Sequence, residues 1–181
     1  MPTFIALLRG VNVGKGRRVP MAVWRAELGR LGYRGVRTLL NSGNAVFDAD
    51  QGDTTWHADA IGQALKRALG LDVPVVAKSL PDLAAIVAEC PFAHAASEPS
   101  RLLVAFTPDA IALAGLAGIA TVVTAPEVFV VGRHAAYLHC PDGILKSKAG
   151  EALLGKSGRA ATTRNWATTL ELLALARAAR S

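Results

Sequence analysis

Apolar positions along the chain switch between two periods, and the switches mark out the elements. Phe4-Ile5-Ala6-Leu7-Leu8 is apolar on both faces until Arg9, which predicts a strand in the middle of its sheet. A polar loop over residues 10–18 follows. Pro20 then supplies a first helical position, and Met21, Trp24, Leu28 and Leu31 recur at helical spacing. Residues 36–40 and 45–47 predict two strands around Asn41-Ser42-Gly43-Asn44, a quartet suited to a tight hairpin. Asp53 is placed to cap a helix whose stripe is Ile61, Ala64, Leu65 and Leu69, Gly70 ends it, and residues 73–77 predict a fourth strand. The order β-α-β-β-α-β is ferredoxin-like, an antiparallel sheet with both helices on one face.

Ser79 and Asp82 then form a capping box ahead of Leu83, Ile86 and Val87, so a short helix bridges onward and stops at Cys90-Pro91. Residues 94–100 read as a linker. A strand over 102–106, a helix over 108–115 and strands near 120–123, 128–131 and 135–140 follow, with Gly132-Arg133-His134 as the last turn. Two helices close the chain, one through Leu153-Leu154 and one through Leu170, Leu173 and Arg177. The expected fold is α+β with two packed α/β halves. The first is ferredoxin-like, and the second is a related strand-helix-strand-strand arrangement with C-terminal helices. The halves are expected at 1–78 and 101–181, joined by the bridging helix and linker at 79–100. Strands apolar on both faces predict sheets covered on both sides, each by the other half.

Composition supports a folded, core-forming chain. Of 181 residues, 51% are hydrophobic and 19% charged, which excludes wholesale disorder. The net charge of +6 is unevenly placed. Residues 1–40 carry Arg9, Lys15, Arg17, Arg18, Arg25, Arg30, Arg34 and Arg37 against Glu27 alone. Residues 143–181 carry Lys146, Lys148, Lys156, Arg159, Arg164, Arg177 and Arg180 against Glu151 and Glu171, and the middle is net acidic. Such a distribution suits a localised anion site, and equally an ordinary solvated face. Two cysteines, Cys90 and Cys140, without a CxxC pair exclude a disulfide framework and a zinc ribbon. Residues 110–126 lack charge but are rich in Ala and Gly, so a helix, a glycine turn and a strand describe them better than a membrane span. The apolar run before Arg9 is too short for a signal-peptide core, and a cytoplasmic location is expected, without membrane contact.

Three polar stretches carry candidate chemistry. The loop Gly10-Val11-Asn12-Val13-Gly14-Lys15-Gly16-Arg17-Arg18 combines glycines, which let backbone N–H groups crowd an anion, with cations ahead of a helix N-terminus. It is not a Walker loop, since Gly10 and Gly14 enclose three residues and Gly16 holds the Ser/Thr place, and the glycine spacing also fails the dinucleotide fingerprint. The second is Thr162-Thr163-Arg164-Asn165-Trp166-Ala167-Thr168-Thr169. A Thr168–Glu171 capping box leaves Arg164 and Asn165 in an entering loop, whereas a helix starting at Thr163 makes Trp166, Leu170 and Leu173 a core stripe. The third, residues 141–148 with Ser147 between Lys146 and Lys148, reads as a turn.

The histidines at 57, 94, 134 and 139 show no metal spacing, no GxSxG is present, and neither a metal nor a cofactor is expected. His139, alternating with Tyr137, is the one histidine of interest as a base, although a lone histidine without a mapped carboxylate reads first as structural, and no catalytic residue is assigned. An RNA-binding reading lacks the stacking aromatics on the central strands.

Phe4-Ile5-Ala6-Leu7-Leu8-Arg9-Gly10-Val11-Asn12-Val13-Gly14, Val19-Pro20-Met21 and Asn41-Ser42-Gly43-Asn44-Ala45-Val46-Phe47 resemble the opening of the bacterial family catalogued as domain of unknown function 1697. Tyr137-Leu138-His139, Pro141-Asp142-Gly143 and Thr163-Arg164-Asn165-Trp166 resemble its closing stretches, with departures at Cys140 and Lys146. The resemblance implies an intracellular protein of two α/β halves and carries no activity. The function expected is binding of a small phosphate- or carboxylate-bearing ligand in a basic cleft between the N-terminal loop and the C-terminal Thr-Arg-Asn-Trp segment. Its residues are Arg9, Asn12, Lys15, Arg17, Ser42, Asn44, Arg164 and Asn165. The alternatives are an interaction module for nucleic acid or protein, with nucleic acid less favoured, and an enzyme acting on a phosphorylated small molecule. Oligomeric state is left open.

Overall fold

The computed structural model describes residues 1–92 and 98–178. The chain divides into two compact units, Met1–Leu83 with the chain from Leu172, and Ala84–Glu171.

The first unit runs β1 (Thr3–Leu8), α1 (Met21–Arg30), β2 (Arg34–Leu39), β3 (Asn44–Asp48), α2 (Thr54–Leu69) and β4 (Val75–Ser79). Its antiparallel sheet has the order β2-β3-β1-β4, the ferredoxin-like topology. The apolar run of β1 makes it a central strand, buried at every position. Alternation divides it: Phe4, Ala6 and Leu8 join Ala45 and Phe47 of β3 in a core with Trp24 and Leu28 of α1 and Ile61 and Leu65 of α2. Asp53 caps α2 by accepting from the Trp56 N–H at 2.8 Å, and Gly70 closes it at a φ of 66°. Pro20 stands at the N-cap of α1 in extended conformation, one residue before the helical position expected for it.

β4 runs directly into α3 (Leu80–Glu89) through a reciprocal capping box: the Ser79 N–H donates to Asp82 Oδ2 at 3.0 Å, and the Asp82 N–H to Ser79 Oγ at 3.2 Å. Of the expected linker, residues 94–97 lie outside the described residues, and Pro99–Arg101 form a 3-10 turn.

Beyond it come β5 (Leu102–Phe106), α4 (Ala110–Ala114), β6 (Val128–Val131), β7 (Ala136–His139), α5 (Lys148–Leu154), β8 (Thr162–Asn165) and α6 (Trp166–Ala178). The second sheet has the order β6-β7-β5-β8, so it repeats the first strand for strand, and the protein is an α+β chain with two antiparallel four-stranded sheets.

Two expectations are corrected here. Residues 162–165 form an edge strand, where spacing predicts a loop or a helix start. The β-branched Thr162 and Thr163 suit a strand, but four residues give too short an alternation to read. Residues 120–123 are not a strand, because a 3-10 helix continues from Gly115 to Val122. Its buried residues, with Leu113 before them, are Leu116 and Ile119, a spacing of three that matches 3-10 winding. The Thr121 hydroxyl donates to Gly118 O at 2.8 Å. Among the described residues no helix is long and apolar enough to cross a membrane.

Candidate functional site

β1 delivers Arg9 to the start of the glycine-containing loop, where the Arg9 N–H donates to Pro74 O at 2.9 Å. Gly10, Asn12 and Gly14 then turn the chain through left-handed conformations, with φ of 64°, 56° and 51°. The loop closes on itself: Val11 and Arg17 form a bridge, the Asn12 N–H donates to Arg17 O at 2.8 Å, and the Gly16 N–H to Val13 O at 2.9 Å. Any Cβ at Gly16 would lie 2.9 Å from Val13 O, so only glycine fits there.

Asn12 is the keystone of this loop. Its Nδ2 donates to Val19 O at 2.8 Å and to Asn41 O at 2.7 Å, while its Oδ1 accepts from the Val19 N–H at 2.9 Å. One amide thereby ties both ends of the loop together and anchors them to the β2–β3 hairpin. The hairpin is itself braced, with Asn44 Nδ2 donating to Leu39 O and to Ser42 Oγ, each at 2.9 Å. At Gly43, φ is 76° and a Cβ would fall 2.6 Å from that of Leu8, so the turn presses directly on β1.

On this frame Lys15, Arg17 and Arg18 are exposed, and Arg18 Nη2 donates to Gly14 O at 2.8 Å. Burial lowers the Arg9 pKa from its ordinary value, and the charge of Arg17 lowers it further. A Cβ at Gly10 would stand 3.6 Å from Arg17 Nη1, so the Arg17 side chain lies over the start of the loop, and among the described residues no carboxylate forms an ion pair with it. Arg17 also borders an open groove of about 490 Å³ between α2 and the chain entering β4. A guanidinium at the edge of a groove has the donors for charge-assisted hydrogen bonds.

Arg9, Asn12, Lys15 and Arg17 thus lie at or in the loop, and Ser42 and Asn44 in the hairpin it is tied to, all in the first unit. Arg164 and Asn165 are neighbours on β8 of the second. Arg164 stands opposite Val104, and its Nη1 donates to Thr162 Oγ1 at 2.8 Å and to Thr163 O at 2.7 Å. Burial pulls its pKa down to about 10, so it stays charged at neutral pH. Asn165 caps α6, its Oδ1 accepting from the Thr168 N–H at 2.9 Å, which replaces the Thr168–Glu171 box expected from the sequence. Trp166 is buried, as the core reading has it, while Leu170 is exposed. The His139 ring stacks on Phe92 with centroids 5.8 Å apart. Among the described residues no cluster of three or more His, Cys, Asp or Glu is placed to hold a metal ion.

Sequence reasoning missed two features. The groove wall on α2, with Asp59, Gly62 and Gln63, carried one available signal, a glycine in mid-helix. The second is Glu89, whose carboxylate accepts from the backbone N–H groups of Arg133 and His134 and from the Tyr137 hydroxyl. Burial alone would raise this carboxyl, yet the N–H groups of His134 and Arg133, with Tyr137, hold it below its usual range. That hairpin turn is an anion nest filled by the chain's own carboxylate, and nothing in the local sequence announces it.

The solved structure of the conserved bacterial protein SP0830 from Streptococcus pneumoniae is similar in fold, with a TM-score of 0.79 at 22% identity, covering 96% of this chain and 98% of that one. No curated protein matches the sequence. The loop, the hairpin and the groove beside α2 all fall within residues 1–137, and over those residues the chain fits the family described as "Protein of unknown function (DUF1697)", to which it belongs.

Proposed function

We propose that the protein binds a small phosphate- or carboxylate-bearing molecule at the loop over residues 10–18, with Arg17 as the principal contact, Arg9 behind it and Lys15 at the rim. The observation that carries this reading is Arg17, a cation with no carboxylate ion-pair partner among the described residues, which lies over Gly10 and borders an open groove on a loop that Asn12 holds in place. A braced loop that holds such a cation at the edge of an open groove suits an anion site. Ser42 and Asn44 contribute by fixing the hairpin against which Asn12 anchors the loop. A cytoplasmic setting belongs to the same reading, supported by two cysteines that are free thiols.

The test is ligand-induced stabilisation, since an anion bound only to the folded state raises its melting temperature. Inorganic phosphate, AMP and citrate are titrated against the native chain, Arg17→Ala and Arg159→Ala, each variant losing one positive charge. A shift present in the native chain and Arg159→Ala but absent in Arg17→Ala supports the site. Equal shifts in all three mean a response to bulk charge and overturn it, as does the absence of any shift.

A further inference from the structure

We infer that the groove along α2 takes a ligand whose anionic group carries a body rich in hydroxyl or amino donors, as in a sugar phosphate or nucleotide, in preference to a bare oxyanion or an aliphatic carboxylate. The inference rests on the anion site at Arg17 and specifies what extends from it.

Three observations converge. First, the groove is lined by charge of both signs. Besides Arg17 it is bordered by Asp59 and Gln63 of α2, and among the described residues Asp59 makes no ion pair. Asp72, the other acid there, is already neutralised by Lys66, whose Nζ donates to both carboxylate oxygens at 2.6 Å. An uncompensated carboxylate beside an anion site disfavours a second anionic group and accepts from hydroxyl or amino groups. Second, the opposite wall is apolar, with Pro74 and Val75, a surface for the face of a ring.

Third, the floor is Gly62. Glycine in the middle of a helix is less stable than alanine, so its presence needs a reason. Packing gives none: a Cβ at Gly62 would have nothing closer than Val73 O at 3.8 Å and Val75 Cγ2 at 3.9 Å, and Gly62 has no left-handed backbone to favour glycine. What the missing side chain does is keep the groove open. A second groove of about 370 Å³ shares Gly62, Gln63 and Asp72 and leads on to Lys66 and Arg67, so the space over Gly62 extends well beyond the reach of one phosphate.

Calorimetric titration of the full chain with inorganic phosphate, ribose 5-phosphate and octanoate separates the possibilities. The native protein is expected to bind ribose 5-phosphate at least tenfold more tightly than inorganic phosphate, and octanoate more weakly than either. Asp59→Ala and Gly62→Leu should each bring ribose 5-phosphate to within about threefold of inorganic phosphate, with inorganic phosphate bound no more weakly than by the native chain. Gly62→Ala should raise the melting temperature by about 2 °C through helix propensity, showing that the position tolerates a side chain structurally. Ribose 5-phosphate binding that ignores both Asp59→Ala and Gly62→Leu, or octanoate binding as tightly, overturns this inference and leaves an Arg17-dependent phosphate site standing. Absence of Arg17-dependent binding by every probe overturns the anion site itself.

Discussion

Lys78 in β4 and Arg164 in β8 hold the same station in their two sheets. Lys78 pairs with Ile5 of β1 and Arg164 with Val104 of β5, and each is the last residue before the one that caps the next helix. Cross-strand partners share a face, so each cation lies on the side of its sheet away from the residues that meet the helices, Phe4 and Ala6 in one case and Leu103 and Ala105 in the other. A cation at this station is thus a feature of both sheets, and in the second it is buried. Replacing Arg164 by alanine should destabilise the protein by about 2–4 kcal/mol, through lost packing and hydrogen-bond acceptors left unmet. Arg164→Lys should recover part of the loss, since a lysine serves the equivalent position. Urea unfolding midpoints measure both, and an alanine variant within error of the native chain refutes the assignment.

The residues that follow are equivalent too. Ser79 and Asn165 each end an edge strand and cap the helix that begins at the next residue. Alanine at either position should cost about 1 kcal/mol, and Asn165→Asp should cost little because it keeps the accepting oxygen. Thermal unfolding of the three variants tests this, and an Asn165→Asp as unstable as Asn165→Ala would show that the Oδ1 contact is not what matters.

How much of this was legible in the sequence depends on element length and on what fixes each element. The first sheet could be read because Phe4 to Leu8 is an unbroken apolar run, α2 has both a cap in Asp53 and a stop in Gly70, and the hairpin quartet is strongly turn-forming. The Ser79–Asp82 box was legible because both partners are local. β8 was not, since its strand character comes from pairing with β5, some sixty residues earlier. The 3-10 run over 115–122 was hidden by its composition, although Leu113, Leu116 and Ile119 at intervals of three did carry its period. In the candidate site, spacing picked out the loop and its cations but not what holds it: Asn12, expected as a ligand contact, ties the loop ends to each other and to the hairpin. The groove escaped because Asp59, Gly62 and Gln63 sit on the polar face of α2, where a helical pattern asks only for solubility.

If Asn12 is the brace, its loss should act on both stability and binding. Asn12→Ala removes three hydrogen bonds and leaves an alanine at a φ of 56°. Asn12→Gly removes the same bonds without the left-handed penalty, and should be about 1 kcal/mol more stable than Asn12→Ala. Both variants should weaken phosphate binding about tenfold by releasing the loop that presents Arg17. Chemical denaturation and phosphate titration measure the two effects separately. Phosphate affinity unchanged in Asn12→Gly would mean that Arg17 needs no frame.

One pH dependence of stability should come from His57. Its side chain is fully buried among the rings of Phe4, Tyr33, Phe47 and Trp56. Nδ1 lies in a hydrogen bond 2.7 Å from the Tyr33 hydroxyl, and burial pushes the pKa of that phenol up to about 12. Nε2 has no hydrogen-bond partner, and a Cβ at Gly52 would stand only 3.2 Å from it, so the backbone itself seals that side. Burial therefore lowers the His57 pKa below the ordinary 6.5, with the charge of Asp53 opposing in part. The folded state then binds this proton less readily than the unfolded chain. The His57 contribution is fully present above pH 6.5 and is lost as pH falls below it, at a slope approaching 1.4 kcal/mol per pH unit, on the order of one proton. Glu89 acts in a lower window: its depressed pKa contributes stability above the ordinary 4.5 that disappears as pH falls further toward the folded-state value. His57→Gln keeps a hydrogen-bond partner for Tyr33 without titrating, and it should flatten the stability profile just below pH 6.5. Glu89→Gln should leave that upper slope intact and remove only the lower one. Unfolding free energies measured across the range at constant ionic strength decide the matter, and an upper slope that survives in His57→Gln would assign the effect to another group.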